Sequence, residues 1–335
     1  MNYRELGKTG IKVSEIGFGA WGIGGPSRNA PGYGEVDDKE SIKALKYAYD
    51  NRINFFDTAD LYGDGHSERI IAEALGGLRD KIIIASKGGT LPHTGLYMPQ
   101  DFSARHLTKV LDQSLRRLKT DYIDLYQLHS PKIENIEKNE CIETLKRFKK
   151  TGKIREFGVS VRSPLDAKYL IEDYDVPFVQ VNLNLIDQRL ITDGVMNLAE
   201  GKRTGLITRT PLVFGFLTGS LNKKTKFKEK DHRSNYPKDQ LTRWASASTL
   251  FPFLYKDKTL AQAALRYCLD FEAVSTVIPG MTKVEHVKEN LAACDLTPFS
   301  SEEHKHIIEV YEQKQREFFD IKMKGKKDEQ VAHVQ

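Results

Sequence analysis

Cysteine is scarce in this chain of 335 residues, which holds only Cys141, Cys268 and Cys294. Three cysteines far apart form no disulfide framework and match no zinc-binding spacing, so we expect a reducing, cytoplasmic setting. His304 and His306 are two residues apart on a predicted helix and therefore do not share a face. The sequence thus predicts no metal site.

Long apolar runs are also absent, which excludes a transmembrane helix. The first ten residues, MNYRELGKTG, are charged and lack the apolar core of a secretory signal. Lysine and arginine exceed aspartate and glutamate by only 51 against 46, too small an excess to indicate a nucleic-acid partner. Hydrophobic residues make up 39% of the chain, enough to bury a sizeable core. We expect a globular protein with neither a membrane nor a nucleic-acid partner.

Short runs rich in Ile, Val, Phe and Leu recur along the chain and predict strands. These candidate strands cover residues 15–20, 53–60, 81–87, 122–129, 155–161, 178–183, 205–210 and 274–280. Amphipathic segments lie between them and predict helices, most clearly at 40–51, 104–121, 139–153 and 259–270. Eight alternating strand–helix units predict an α/β fold, a (β/α)8 TIM barrel, as one domain over residues 1–318.

Three segments fall outside this repeat. Residues 3–14 predict a β-hairpin that plugs the bottom of the barrel. Residues 214–258 form a long loop after strand seven, and a solvated surface loop is as good an interpretation of it as a pocket wall holding Trp244 and Phe251. Residues 319–335 are basic and polar, and we expect a flexible tail.

Gly17, Gly19 and Gly22 match the G-x-G-x-x-G fingerprint of dinucleotide-binding folds. That fingerprint requires a helix to open at the third glycine. A Gly/Pro-rich stretch, GIGGPSRNAPGYGE, follows instead and predicts a loop that cannot be helical. We therefore reject a Rossmann fold and assign the glycines to the end of the first barrel strand.

Barrel enzymes place reactive side chains at the carboxyl ends of their strands. The ends of strands two, three and four supply Asp57, Lys87 and His129, and Tyr62 follows strand two by a few residues. Each has a structural alternative: a helix cap for Asp57, a surface aromatic for Tyr62, a core histidine for His129. A lysine in a barrel interior is costly unless it is paired, and Asp57 is its natural partner. The four together predict a catalytic site.

The chemistry of such a set is proton donation by a tyrosine. The pKa of an unperturbed tyrosine is about 10. A lysine ammonium group beside the hydroxyl favours tyrosinate, so we expect Lys87 to lower the pKa of Tyr62. Asp57 would hold Lys87 charged, and His129 would donate a hydrogen bond to a substrate carbonyl oxygen. Because the set contains no nucleophile, the hydride must come from a cofactor.

The segments INFFDTADLYGDG, IIIASKGG, DLYQLHSP, FGVS, VQVNLNLID, FGFLTG and VIPGMTKVEHVKEN occur in this order over about residues 1–315. Together they resemble the aldo-keto reductases, (β/α)8 barrels that reduce carbonyls with NADPH. The resemblance implies that Asp57, Tyr62, Lys87 and His129 are the catalytic tetrad, with Tyr62 as general acid. It implies substrate contacts from Trp21, Tyr62 and His129.

The same resemblance implies cofactor contacts, with NADPH favoured over NADH. Ser160 and Gln180 fall at the nicotinamide carboxamide, and Asp57 and Arg209 lie nearby. The remaining implied contacts are Gly19, Ala20 and Trp21 at the ribose, then Thr210, Pro211, Leu212, Gly215, Leu217 and Gly219 at the pyrophosphate, and Gly280, Thr282, Lys283, His286, Glu289 and Asn290 at the adenosine 2′-phosphate.

The chain departs from the family pattern at three places. Val161 stands where the family commonly has Asn, so one carboxamide contact is lost. Arg209 stands where many members stack an aromatic ring on the nicotinamide, and its positive charge should disfavour the oxidised, cationic ring. Thr282 and His286 stand where many members have Arg; Lys283 can compensate as a point charge, and NADH use is less excluded than usual.

Two functions compete at this stage. The first is NADPH-dependent reduction of an aldehyde, ketone or keto-sugar, with a small-molecule carbonyl substrate as the only expected partner. The second is a cofactor-binding regulatory or sensor protein with little turnover, like the family members that serve as subunits of membrane channels. Those members carry a long N-terminal extension, whereas the barrel pattern here starts almost at Met1. We expect an enzyme, and the oligomeric state stays open.

Overall fold

The computed structural model describes residues 1–319 and shows a parallel barrel preceded by a hairpin. The hairpin pairs strands β1 (Tyr3–Glu5) and β2 (Lys12–Ser14) antiparallel. The barrel strands are β3 (Phe18–Gly19), β4 (Phe55–Asp57), β5 (Ile83–Gly88), β6 (Ile123–His129), β7 (Ile154–Ser160), β8 (Phe178–Asn182), β9 (Gly205–Arg209) and β10 (Val274–Val277). Each overlaps one of the eight predicted segments, and the (β/α)8 fold is confirmed.

The strands follow one another in chain order around the sheet, each parallel to its neighbours. Single bridges from Ile16 to Val277 and from Gly19 to Gly280 join the first strand to the last and close the barrel. Consecutive strands are therefore neighbours, and their carboxyl ends open on one rim. This topology brings the ends of β4, β5 and β6 together.

Helices lie between the strands. They are α1 (Trp21–Gly24), α2 (Asp38–Asp50), α3 (His66–Leu75), α4 (Ala104–Leu118), α5 (Ile133–Lys138), α6 (Cys141–Lys150), α7 (Pro164–Tyr174), α8 (Arg189–Thr192), α9 (Val195–Lys202), α10 (Lys238–Ala247), α11 (Leu260–Leu269), α12 (Val284–Leu291) and α13 (Ser301–Phe319). Shorter 3-10 turns cover Gly76–Lys81, Val213–Thr218, His232–Asn235, Pro252–Leu254 and Ala292–Asp295. The four most clearly predicted helices are present, and side chains cap three of them, Asp37 on α2, Ser103 on α4 and Thr259 on α11.

The hairpin seals the lower end of the barrel, as predicted. Leu6, Ile11 and Val13 pack against the interior residues of the barrel, including Phe55 and Phe178, in a small apolar cluster. A second, larger cluster fills the space between the strands and the outer helices. The barrel interior is thus apolar at the bottom, and its polar side chains gather at the opposite rim.

One expectation about loops is wrong, and the structure adds detail to another. Residues 21–24 form one helical turn, α1, although the Gly/Pro-rich stretch predicted no helix; one turn is still far from the long helix of a dinucleotide-binding fold. The segment 214–258 is not a plain loop either, because α10 and the 3-10 turns give it structure, and Phe251 is fully buried in the core. The tail predicted for 319–335 falls, beyond its first residue, outside the described residues.

Neighbouring strands pack closely at Gly158, on β7. A Cβ atom there would lie 2.5 Å from both the carbonyl oxygen and the ring of Phe178. We expect Gly158→Ala to lower the free energy of unfolding by about 1–3 kcal/mol, since the barrel cannot relax around a methyl group. Urea denaturation measures this change.

Gly201→Ala is the matched control, because a Cβ atom on this α9 residue meets nothing within 4 Å. Its stability should stay constant or rise by up to about 1 kcal/mol, since alanine favours a helix. Equal losses in both variants would contradict the packing argument.

Candidate active site

Asp57, Lys87 and Tyr62 form a connected chain at the barrel rim. The Nζ atom of Lys87, on β5, donates to Asp57 Oδ1 at 2.6 Å and to the carbonyl oxygen of Thr58 at 2.8 Å. It also lies 3.4 Å from the hydroxyl oxygen of Tyr62. Lys87 is completely buried, so its charge depends on these partners.

The pKa values of this chain follow from burial and mutual attraction. Burial alone would lower the pKa of Lys87, but the attraction of Asp57 and Tyr62 raises it above its ordinary value. Burial raises the pKa of Tyr62, and the charge of Lys87 opposes this without reversing it. The expected lowering of the Tyr62 pKa is therefore wrong for the protein by itself: Lys87 acts in the predicted direction, but desolvation is the larger effect. Tyr62 stays protonated at neutral pH.

His129 ends β6 and stands edge-on to the Tyr62 ring, with the ring centroids 5.8 Å apart. Burial, followed by the positive charges of Lys87, Arg209 and Arg162, holds the pKa of His129 well below its ordinary value. The imidazole is therefore neutral. Its Nδ1 atom is buried without a hydrogen-bond partner within the protein, and the His129 side chain lines the cavity described below.

Close backbone contact fixes the loop that carries Tyr62. A Cβ atom on Gly24 would lie 2.8 Å from the backbone of Tyr62, and one on Gly63 would lie 1.9 Å from the carbonyl oxygen of Gly24. Gly63 also has φ +59, which glycine tolerates best. Trp21, on α1, lies nearly parallel to the Tyr62 ring at 6.0 Å. The loop after β3, which carries Trp21 and Gly24, therefore packs directly against the loop that carries Tyr62.

A polar relay links the tetrad to β7 and β8. Gln180 donates from Nε2 to Asp57 Oδ2 at 2.7 Å, and Ser160 donates to Gln180 Oε1 at 3.2 Å. The family resemblance implies that Ser160 and Gln180 act at the same group, and the two side chains are in contact. Val161 follows as a fully buried core residue.

The segment after β9 has an unusual backbone. Thr210, Val213 and Phe214 have positive φ values of 51, 46 and 54, and Gly215 and Gly219 also have positive φ. Such successions of left-handed and right-handed residues form concave nests of N–H groups that bind anions. The side chain of Arg209, which precedes the segment, donates from Nε to Asn182 Oδ1 at 3.0 Å.

The start of α12 gathers the residues assigned to the adenosine end. Lys283 is the N-cap residue, and the side chain of Thr282 lies 3.2 Å from Nδ1 of His286. Farther along α12, Glu289 accepts a hydrogen bond of 3.2 Å from Gln262 of α11. The next residue, Asn290, has its Nδ2 atom buried without a partner within the protein. A helix N-terminus with an adjacent lysine suits a phosphate group.

One cavity of about 740 Å³ runs along this rim and joins these groups. The predicted residues that line it are Gly19, Trp21, Asp57, Tyr62, His129, Gln180, Arg209, Thr210, Pro211, Leu212, Gly215, Gly280, Thr282, His286, Glu289 and Asn290. Ala20, Lys87, Ser160, Leu217, Gly219 and Lys283 do not line it; of these Ala20, Lys87, Ser160 and Leu217 are buried. The cavity is large enough for a cofactor and a small substrate.

Sequence reasoning missed several residues of the cavity wall. These are Tyr33, His93, Met98, Arg162 and Asn182, whereas Phe214, His232, Arg233 and Tyr236 belong to the 214–258 segment, for which a pocket wall was one of the two interpretations. Arg162 and Asn182 stand at or just after strand ends, so the rule that found the tetrad would have found them on β7 and β8. The aromatic residues have no such signal, because they come from loops.

The 214–258 segment crosses the rim of the barrel and forms hydrogen bonds with the loop after β3. Asp231 forms bridges with Gly32 and Tyr33, and the backbone N–H of His232 donates to the carbonyl oxygen of Gly32 at 2.8 Å. Arg233 donates to both oxygens of Asp231 and to the carbonyl oxygen of Phe214 at 2.9 Å. We call residues 31–33 and 231–233 the clasp. The segment is therefore part of the cavity wall, with Trp244 also lining it.

In residues 1–319, no group of three or more His, Cys, Asp or Glu side chains is arranged to hold a metal ion. Over the same residues, no helix is long and apolar enough to cross a membrane.

Comparison with known proteins assigns the family. The model of the aldo/keto reductase family matches residues 15–312. The chain belongs to the aldo/keto reductase family. It is an oxidoreductase, the class named for relatives such as YqkF and an L-galactose dehydrogenase.

Individual relatives cover nearly the whole chain. Oxidoreductase YqkF of Bacillus subtilis is 31% identical over 91% of this chain and 95% of its own. A "probable voltage-gated potassium channel subunit beta" of Arabidopsis thaliana is 30% identical over 89% of this chain and 92% of its own. The holo structure of an aldo-keto reductase from Bacillus halodurans superposes with a TM-score of 0.74 at 30% identity, covering 94% of this chain and 99% of that one.

His232 gives the clasp a pH dependence. It is buried against the rings of Trp21 and Tyr33, and burial lowers its pKa from 6.5 to about 4. The neutral form is thus favoured in the folded state, so this stability is present above pH 6.5 and is lost as the pH falls towards 4. The loss should approach about 3 kcal/mol.

His232→Phe keeps an aromatic ring and removes the titration. We expect the variant to lose less stability than the wild type between pH 6.5 and 4, measured by urea denaturation at each pH. Parallel stability curves for the two proteins would show that His232 does not titrate in this way.

Proposed function

We propose that this oxidoreductase uses NADPH to reduce the carbonyl of an aldehyde, ketone or keto-sugar to an alcohol, with Tyr62 as general acid. The observation that supports this most directly is the buried chain from Asp57 through Lys87 to Tyr62. It ends on a hydroxyl at the cavity, beside a neutral histidine. The cavity thus offers a proton donor and a hydrogen-bonding group to one carbonyl oxygen.

The roles of the tetrad follow from its electrostatics. Tyr62, protonated because burial raises its pKa, gives its proton to the carbonyl oxygen as negative charge develops there. Lys87 then stabilises the tyrosinate, and Asp57 keeps Lys87 charged and in place. Neutral His129 orients the carbonyl oxygen by a hydrogen bond. These steps move one proton at Tyr62 and leave a buried tyrosinate, whose negative charge the ammonium group of Lys87 offsets.

The residues of the cavity fit a nicotinamide dinucleotide. Bound NADPH would supply the hydride that the protein side chains cannot. The Ser160–Gln180 pair would hold the carboxamide, and the backbone nest after β9 would hold the pyrophosphate. Asn290, with its buried amide nitrogen, would contact the adenine.

The start of α12 supports NADPH over NADH. Thr282, Lys283 and His286 would face the 2′-phosphate there. We assign Gly19, Ala20 and Trp21 to the ribose and the substrate, and Glu289 to the adenosine. The three free cysteines, two of them buried, support a cytoplasmic location.

Replacing the acid tests this function directly. Tyr62→Phe should lower kcat with a panel of aldehydes, ketones and keto-sugars by at least about 100-fold, because general acid catalysis contributes factors of this size. NADPH binding, followed by fluorescence titration, should persist. Tyr169→Phe, on the outer helix α7, is the control and should keep full activity.

A regulatory or sensor function is the second candidate, since two relatives, from Arabidopsis thaliana and Oryza sativa, bear the name of a channel subunit. NADPH binding without turnover of any panel member by the wild type would favour it. Turnover that requires Tyr62 would favour the reductase.

Replacing Arg209 tests whether its charge favours the reduced form of the cofactor over the oxidised form. A guanidinium beside the nicotinamide repels its oxidised, positively charged form, so the wild type should bind NADPH more tightly than NADP+. Arg209→Tyr should narrow the ratio of the two Kd values by about 10-fold, a change of about 1.4 kcal/mol. An unchanged ratio in calorimetric titrations would remove Arg209 as the cause.

A further inference from the structure

Glu68 is a buried charge that the proton-donating chain does not use. It is the third residue of α3, and its side chain is completely shielded from solvent. Its Oε1 atom accepts from the hydroxyl of Ser86, on β5, and its Oε2 atom accepts from Nε of Arg117, on α4, both at 2.6 Å. An ionised carboxylate is costly to bury unless it is paired and hydrogen-bonded, and Glu68 is both. It therefore joins three elements, α3, α4 and β5.

Ser86 connects this contact to Lys87. The two residues are adjacent on β5, where successive side chains point to opposite faces of the sheet. Lys87 points into the barrel, towards Asp57 and Tyr62, so Ser86 points outwards to the helices, where it is fully buried. The hydrogen bond from Ser86 to Glu68 thus ties α3 to the strand position immediately before Lys87.

The other side of the contact supports residues 58–65, which we call the Tyr62 loop. Gly65 is the last residue of this loop and the N-cap residue of α3. A Cβ atom on Gly65 would lie 2.4 Å from Nε of Arg117, so the guanidinium packs directly against the backbone there. Two residues later, the N–H group of Ser67 donates to the carbonyl oxygen of Tyr62 at 3.2 Å. Arg117 and Glu68 therefore support the Tyr62 loop from outside the barrel.

The Tyr62 loop is also attached directly to β5. The N–H group of Asp60 donates to the carbonyl oxygen of Lys87 at 3.1 Å, and the hydroxyl oxygen of Tyr62 lies 3.4 Å from Lys87 Nζ. The loop and the helix that follows it are thus attached to β5 at two adjacent residues, at Lys87 directly and at Ser86 through Glu68. A shift of α3 relative to β5 would change the distance between the tyrosine hydroxyl and the ammonium group. Reaction rates respond steeply to such shifts, since a displacement of ~1 Å can cost about 100-fold.

We propose that Glu68 is a positioning residue for Tyr62, and that its hydrogen bond with Ser86 keeps the Tyr62 hydroxyl beside Lys87 during proton donation. The inference rests on the proposed reductase function and adds a residue that acts on the acid without touching the substrate. The alternative is that the ion pair of Glu68 with Arg117 serves only the packing of α3 against α4. The two roles separate at Ser86, since removal of its hydroxyl leaves that ion pair in place.

Ser86→Ala removes the link to β5 with the smallest change of side chain. We expect the single-turnover rate of aldehyde reduction, followed by the loss of NADPH absorbance, to fall about 10-fold, because the hydroxyl of Tyr62 is no longer held at Lys87. The Kd for NADPH should change by less than about 3-fold, since the side chain of Ser86 points away from the cavity. An unchanged rate of reduction would overturn the proposal.

Ser275→Ala is the matched control. Ser275 lies on β10, is buried, and donates one hydrogen bond of 3.0 Å to the carbonyl oxygen of Glu5 in the hairpin. The control therefore loses one buried hydroxyl contact at the opposite end of the barrel. Both variants should lower the midpoint of urea denaturation, but only Ser86→Ala should slow reduction. A similar loss of rate in both would attribute the effect to stability and overturn the positioning role.

Replacing Glu68 itself separates geometry from charge. The amide of Glu68→Gln can span the same gap, since its oxygen can accept from Arg117 and its nitrogen can donate to Ser86. Glu68→Ala removes both contacts. We expect Glu68→Gln to retain a rate of reduction at least about 3-fold above that of Glu68→Ala, a difference larger than that of ordinary surface substitutions. Equal rates in two folded variants would contradict the proposal, and if Glu68→Ala does not fold, the two serine variants decide.

The pH profile gives a second measurement that helix packing alone does not change. The charge of Lys87 lowers the pKa of Tyr62 against the larger effect of burial, and Ser86→Ala should weaken this influence and so raise the pKa. Because the acid acts in its protonated form, the loss of the reduction rate at alkaline pH should move to higher pH than in the wild type. Superimposable profiles would count against the proposal. The other ionisable groups around Tyr62 stay in place, namely Asp57, His129 and Arg209.

Amide hydrogen exchange, measured by mass spectrometry, tests the link without turnover. Ser86→Ala should speed exchange in residues 58–67, and Ser275→Ala should leave it unchanged, because only the first substitution frees the Tyr62 loop. If the wild type reduces no carbonyl of the panel but this difference in exchange holds, the link to the loop stands and the reductase function fails. If Tyr62 is required for turnover but Ser86→Ala changes neither rate nor exchange, the reductase stands and the positioning role falls.

Discussion

The buried contact between Lys87 and Asp57 is the constraint on which the site depends. An ammonium group removed from water is costly, and the cost is met only when its partners are fixed in place. Asp57 Oδ2 accepts from Gln180, and Lys87 also donates to the carbonyl oxygen of Thr58. One ion pair therefore ties β4, β5 and β8 together. Its remaining contact is Tyr62, which places the acid at the cavity.

The barrel supplies the positions, and the loops close the space above them. Neighbouring parallel strands end on one rim, so residues from distant parts of the chain meet there. The clasp adds a second layer: Arg233 joins Asp231 to the carbonyl oxygen of Phe214 and so connects the loop after β3, the 214–258 segment and the turn that follows β9. Because these contacts run between loops, entry and release of the proposed cofactor would involve them.

The barrel and the tetrad positions were predictable because their causes are local. Apolar runs determine the strands, and a lysine such as Lys87 at a strand end is rare enough to be noticed. Arg162 and Asn182 obey the same strand-end rule and could have been found by extending it. The direction in which the Tyr62 pKa shifts could not be predicted, because it depends on burial, which only the folded cavity supplies. The clasp contact between Gly32 and Asp231 is likewise invisible in sequence, since it joins residues that are far apart in the chain.

The charges around the cavity suit the reduction that we propose. Negative charge would grow on the carbonyl oxygen as the hydride arrives, and a positive environment in a partly desolvated cavity would stabilise that charge. A protonated Tyr62 and a neutral His129 would then donate to the oxygen without competing for it. The cost of burying Arg209 near the proposed reacting centre would thus be offset in the transition state.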